Sequence, residues 1–258
     1  MTIARALTLS ILVAGTTITA AHAVTITYVT INESIKTTQV CAFAGNNGSG
    51  PCDADSATGS SLTFIDERQS NALDTDADQG ALAIALGSVS QATFLTAVGV
   101  NANGSAVTGA QVFVSGSARA DAESELKVAF FVDANITFTI HGYVACVGDC
   151  TSFVALYDAQ NEPLFDLTVH EGSSNDTVTG TIFANQSYLL WARATTTSAI
   201  PPAPGFDNAH GDFSVALDLS GAGGLVPEPE TYVLMLVGLL SVGVIVRRRT
   251  VSRVSSPV

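Results

Sequence analysis

Residues 117–132 read Ser-Ala-Arg-Ala-Asp-Ala-Glu-Ser-Glu-Leu-Lys-Val-Ala-Phe-Phe-Val, and whether they form helix or strand decides the fold class. Ala118, Ala120, Ala122, Glu123, Glu125 and Leu126 all favour a helix on intrinsic propensity. Two features favour a strand instead. Small apolar and polar residues alternate on a two-residue period from Ala118 onward, and the stretch closes in Leu126-Lys-Val-Ala-Phe-Phe-Val132, which is rich in β-formers. A single helix here would imply a mixed fold; a strand makes the whole chain β.

The flanks agree with the strand reading. Residues 107–115, 136–144, 152–158, 164–170, 178–183, 188–196 and 212–219 are short runs of β-branched and aromatic residues, separated by turn residues such as Asp158-Ala-Gln-Asn161. Upstream, residues 24–40 and 61–65 read as strands and residues 74–80 as an acidic loop. Residues 81–86 are apolar but too short to separate strand from helix. Pro201-Pro-Ala-Pro204 marks a rigid loop. Amphipathic patterns of period 3.6 are nearly absent and no internal repeat is visible, so the expected fold is all-β, a β-sandwich or jelly roll over residues 24–219.

That span carries five basic residues, Lys36, Arg68, Arg119, Lys127 and Arg193, against twenty-one acids, a net of sixteen negative charges. A surface of that sign repels phosphate backbones, so no nucleic-acid partner is expected. The four cysteines form two sequence-close pairs. Cys41 and Cys52 enclose a Gly/Asn/Ser-rich loop, and Cys146-Val-Gly-Asp-Cys150 contains a turn that can bring its ends together. Three pairings are possible on paper, and these local ones are favoured. A four-cysteine zinc site is the alternative, but neither pair has the C-x2-C spacing usual there.

The two ends carry addresses. Arg5 precedes a mildly apolar stretch, residues 6–18, and Ala21-His22-Ala23 meets the small-x-small requirement of signal peptidase, so residues 1–23 read as a removable export signal. After the Gly-rich linker of residues 220–226 come Val226-Pro227-Glu228-Pro229, an apolar run at 232–246, and Arg247, Arg248 and Arg249 in a basic tail that extends over 247–258. The run is shorter than the ~20 residues that span a bilayer comfortably, but it can cross with thinning or snorkelling of its basic flank. The arginines place that flank in the cytoplasm and the bulk of the chain outside the inner membrane. Pro227 and Pro229 keep the preceding segment extended, as a processing enzyme requires.

In tripeptide, span and arginine cluster, residues 227–250 resemble the sorting tail of the PEP-CTERM family of bacterial exported proteins. The resemblance implies that an exosortase, a membrane-embedded cysteine transpeptidase-like enzyme, reads Pro-Glu-Pro, and that the product goes to the cell surface or the secreted polysaccharide matrix. The expected partners are therefore signal peptidase, the exosortase, the inner membrane and exopolysaccharide.

Within the β region the candidate ligand site is Asp74-Thr-Asp76-Ala-Asp78, whose alternating carboxylates could converge on one hard cation as in the first half of an EF-hand loop. Gln79 stands where that loop needs glycine and Ala85 where it needs glutamate, so only weak calcium binding is expected and no other cofactor. His141, His170 and His210 are the histidines of the exported part, with no G-x-S-x-G elbow and no H-E-x-x-H pair. Asp166 with His170, or His210 with Asp212 and Ser214, form at most partial triads. Trp191, Tyr188, Tyr143 and Tyr157 could build a sugar-stacking platform, although Trp191 reads as core. The expected function is a non-enzymatic structural or adhesive surface protein. The alternatives are a calcium- or carbohydrate-binding module and, behind that, a secreted hydrolase.

Overall fold

A computed structural model describes residues 25–45, 50–77 and 79–219, through which the chain runs in twelve strands and no helix. They are β1 (Ile26–Ala44), β2 (Cys52–Gly59), β3 (Thr63–Asp76), β4 (Ala81–Thr96), β5 (Gly99–Val112), β6 (Gly116–Val132), β7 (Ile136–Val147), β8 (Cys150–Tyr157), β9 (Pro163–Val169), β10 (Gly172–Ile182), β11 (Ser187–Ile200) and β12 (Gly205–Asp218). Two six-stranded antiparallel sheets result, ordered β2-β1-β6-β11-β8-β9 and β10-β7-β12-β5-β4-β3. All twelve strands belong to one compact unit. The expected export signal at residues 1–23, the expected linker and the expected transmembrane run at 232–246 lie outside the described residues.

The decisive stretch is β6, at the middle of the first sheet. Its alternation is complete: Ala118, Ala120, Ala122, Leu126, Val128, Phe130 and Val132 face inward, while Arg119, Glu123, Glu125 and Lys127 face out. Burial of this apolar row against the second sheet overrides the helical propensity of its alanines. The inward side chains grow along the strand, and the core follows that taper. Leu126, Phe130, Phe138, Ile140 and Phe213 fill one part. Ala42, Ala72, Ala83, Ala85, Ala110, Ala118 and Ala120, with Val40 and Val112, fill the other.

Three buried hydrogen bonds between side chains cross the sheet interface. Thr37 donates to Ser70 at 2.6 Å, Ser124 donates to Gln91 Oε1 at 3.1 Å, and the Thr108 and Ser198 hydroxyls pair at 2.9 Å. Each satisfies a polar group that would otherwise be buried alone.

Several elements differ from the sequence reading. Residues 81–86 open β4, a strand. β2 was not anticipated; its acidic, mostly exposed residues give it no apolar face, and it is held as an edge strand by its pairing with β1. β3 continues through Asp74 to Asp76, residues read as loop, and β5 begins at Gly99 rather than 107. The Pro-rich segment at 201–204 does form the turn between β11 and β12.

Both local disulfides are present. Cys41–Cys52 joins register partners of β1 and β2. Cys146–Cys150 closes the turn between β7 and β8, where the chain passes from one sheet to the other. Gly148, at φ 78°, takes the left-handed conformation that this turn requires.

Candidate functional site

Asp74 and Asp76 occupy alternate positions at the end of β3, half-buried on the side that also carries Ser70 and Ala72. Their carboxylates are engaged by backbone. Asp74 Oδ2 accepts the Ala44 amide at 2.9 Å and its Oδ1 accepts Thr75 N–H, while Asp76 Oδ1 accepts Gln79 N–H at 3.3 Å. The Asp74–Ala44 bond ties β3 to the end of β1, next to the loop that Cys41–Cys52 closes. An extended strand also separates alternate Cα atoms by about 6.5–7 Å, unlike the wrapped loop of an EF-hand. Asp78 lies outside the described residues, and among those described no three His, Cys, Asp or Glu side chains are grouped to hold a metal.

The histidines are exposed, His141 on β7, His210 on β12 and His170 just after the end of β9. His141 Nδ1 pairs with Thr177 at 2.8 Å, and His170 Nδ1 with Thr151 at 3.1 Å. Asp166 accepts from Thr168. His210 is the richest case: Nε2 lies 2.9 Å from Asp212 Oδ1 and 3.4 Å from Ser105 Oγ, so the serine beside it is Ser105 of β5 and not Ser214. Both partners meet the same nitrogen. A relay needs the carboxylate on one imidazole nitrogen and the nucleophile on the other, so this trio cannot pass a proton from Ser105 through the ring toward Asp212.

The four aromatics do not form one platform: Trp191 and Tyr157 lie on the outer face of the first sheet, and the other two lie elsewhere. Tyr188 is buried, stacked on Phe130 at 5.8 Å, and its hydroxyl accepts the Phe183 amide. Tyr143 is exposed on the outer face of the second sheet. Trp191 is not core: it lies half-buried on the outer face of the first sheet, because the alternation of β11 turns Leu190 and Ala192 inward. There Phe153 meets its ring edge-on at 4.9 Å, Lys127 Nζ stands 4.5 Å from its centroid, and its Nε1 donates to Glu125.

That outer face also gathers Lys36, Arg119, Lys127 and Arg193, four of the five basic residues. Lys36 and Arg193 both reach Glu123, at 3.0 and 2.7 Å. Burial alone would push the Glu123 carboxyl up, but these two cations hold it below its usual range. On this face each of the four cations is paired with a carboxylate, while Arg193 Nε is buried without a hydrogen bond.

One buried group went unread in the sequence. Glu33 is fully buried between the sheets, beside Leu126, its register partner, and close enough to Gly59 that a Cβ there would lie 2.9 Å from Oε2. Neither carboxylate oxygen has a hydrogen bond of normal geometry, and the nearby Thr93 hydroxyl acts against the larger effect of burial. Burial pushes the Glu33 carboxyl up to about 7. The spacing Ile31-x-Glu33-x-Ile35, which puts the glutamate in an inward row, was the available signal.

Residues 225–249 match the family model of the PEP-CTERM protein-sorting motif. The chain carries a PEP-CTERM protein-sorting motif. The motif implies processing by an exosortase, and a PEP-CTERM protein is accordingly exported and transiently anchored in the membrane. No curated protein matches the PEP-CTERM chain. Among solved structures, "CBM4 structure and function" aligns at 16% identity over 58% of this chain and 89% of that one, with a TM-score of 0.14. The enzymatically active domain of bacteriophage CBA120 tailspike protein 4 aligns at 9% identity over 61% of this chain and 18% of that one, with a TM-score of 0.10. At such scores neither bears on how this PEP-CTERM protein folds or works.

Proposed function

We propose that this protein is an exported β-sandwich which an exosortase releases at the cell surface, where it serves as a structural or adhesive component of the exopolysaccharide layer. The sorting motif at residues 225–249 carries the reading. The export signal at residues 1–23 agrees with it, as does a domain stapled by two disulfides, which suits an oxidising compartment. The reading is of a non-catalytic role, and what supports it is that His210, Asp212 and Ser105 do not form a relay, since both partners meet one nitrogen.

The test is a Pro227→Ala/Pro229→Ala double variant followed by cell fractionation. The expected result is retention in the membrane fraction, with wild type reaching the surface or medium. Unchanged processing and location of the variant would remove the basis of the proposal.

A further inference from the structure

The outer face of the second sheet contains a groove of about 410 Å³ across β3, β4, β5 and β12. Strand register defines it. Asn71, Leu86, Gly109 and Asn208 form one cross-strand row, so a glycine stands at its middle with an amide at each end. A Cβ at Gly109 would meet nothing within 4 Å, which leaves an open dip in the sheet surface. Val107 precedes the glycine on the same face, and Phe206 stands on β12 beyond Asn208, 67% exposed.

We propose that this groove binds a neutral polysaccharide. Its chemistry is an exposed aromatic face and aliphatic flanks for the C–H faces of sugar rings, with amide side chains for their hydroxyls. No ionisable side chain lines it, in a region that carries sixteen net negative charges. Anionic polymers are therefore repelled by the domain and find no cation in the groove, whereas an uncharged glycan encounters neither penalty. The volume lies within the range of small-ligand clefts, roughly 300–1,000 Å³. A second copy of the chain is the competing occupant, but an interface between proteins uses a patch of about 800 Å² per partner rather than a narrow dip. The inference deepens the matrix reading and rests on it for the ligand's class.

Affinity electrophoresis of the β-domain tests it, since all twelve strands and both disulfides lie within one compact unit. The gels contain dextran, galactomannan, xyloglucan or soluble β-glucan, with alginate as the anionic control. Gly109→Val fills the dip in a strand position that favours valine, so it keeps or raises the melting temperature while abolishing retardation. Phe206→Ala weakens retardation roughly three- to tenfold. Lys127→Ala, on the opposite sheet, leaves it unchanged. No retardation by any neutral polymer, stronger retardation by alginate, or full retardation of both groove variants would overturn the inference. So would light scattering that showed a wild-type dimer converted to monomer by the same variants. Sorting is read separately in cells: normal export with no polymer binding refutes only the groove, and failed export refutes only the sorting proposal.

Discussion

Glu33 makes the stability of this domain depend on pH. Its carboxyl has a pKa of about 7 in the folded chain against 4.5 for an ordinary glutamate, so the folded state holds its proton more tightly than the unfolded state. The Glu33 contribution to stability is then greatest below about pH 4.5, falls as pH rises toward 7, and levels off above, once the buried group is ionised. At about 1.4 kcal/mol per pKa unit the loss is on the order of 3 kcal/mol. Other carboxyls slope the opposite way, among them Glu123 and Asp66, which cations hold below their usual range. The difference between wild type and a Glu33→Gln variant isolates the Glu33 contribution. Urea unfolding followed by circular dichroism, at half-unit steps from pH 4 to 8.5, should show the variant gaining roughly 2–3 kcal/mol on wild type between pH 4.5 and 8. Parallel pH profiles for the two proteins would refute the reasoning, because the carboxyl would then be hydrated or paired in the folded state.

Other consequences follow from the core. Ala120→Leu forces a large side chain into the alanine-rich end, which should cost about 1–3 kcal/mol in urea unfolding, while the same exchange at an outward position of β6 should be near neutral. Thr108→Val alone strands the Ser198 hydroxyl and should cost about 1–3 kcal/mol; adding Ser198→Ala should recover most of that loss. Replacing both Cys146 and Cys150 by serine should lower stability by about 2 kcal/mol, as expected for closing so short a loop, without altering the secondary structure seen by circular dichroism.

Much of the fold was legible because its signals are local. The two-residue alternation of β6 identified a strand despite alanines and glutamates, and the same alternation places Glu33 inward between Ile31 and Ile35. β2 was invisible because an edge strand made of Asp53-Ala-Asp-Ser-Ala-Thr58 has no apolar face; its pairing comes from β1. Asp74 and Asp76 looked like a loop for their acidity, but an amide at the far end of β1 fixes Asp74 in place. Trp191 looked like core because of its apolar neighbours, yet strand parity sends it to the outer face. The groove had no sequence signature at all, since Asn71, Leu86, Gly109 and Asn208 come from four strands and meet only through register.

The exosortase assignment is tested most directly by the C-terminal peptide mass of the protein recovered from the cell surface and medium. Cleavage near Pro227 to Thr231, with the 232–246 run and Arg247 to Arg249 gone, is the predicted result. Protein outside the cell that still carries an intact arginine cluster would contradict it.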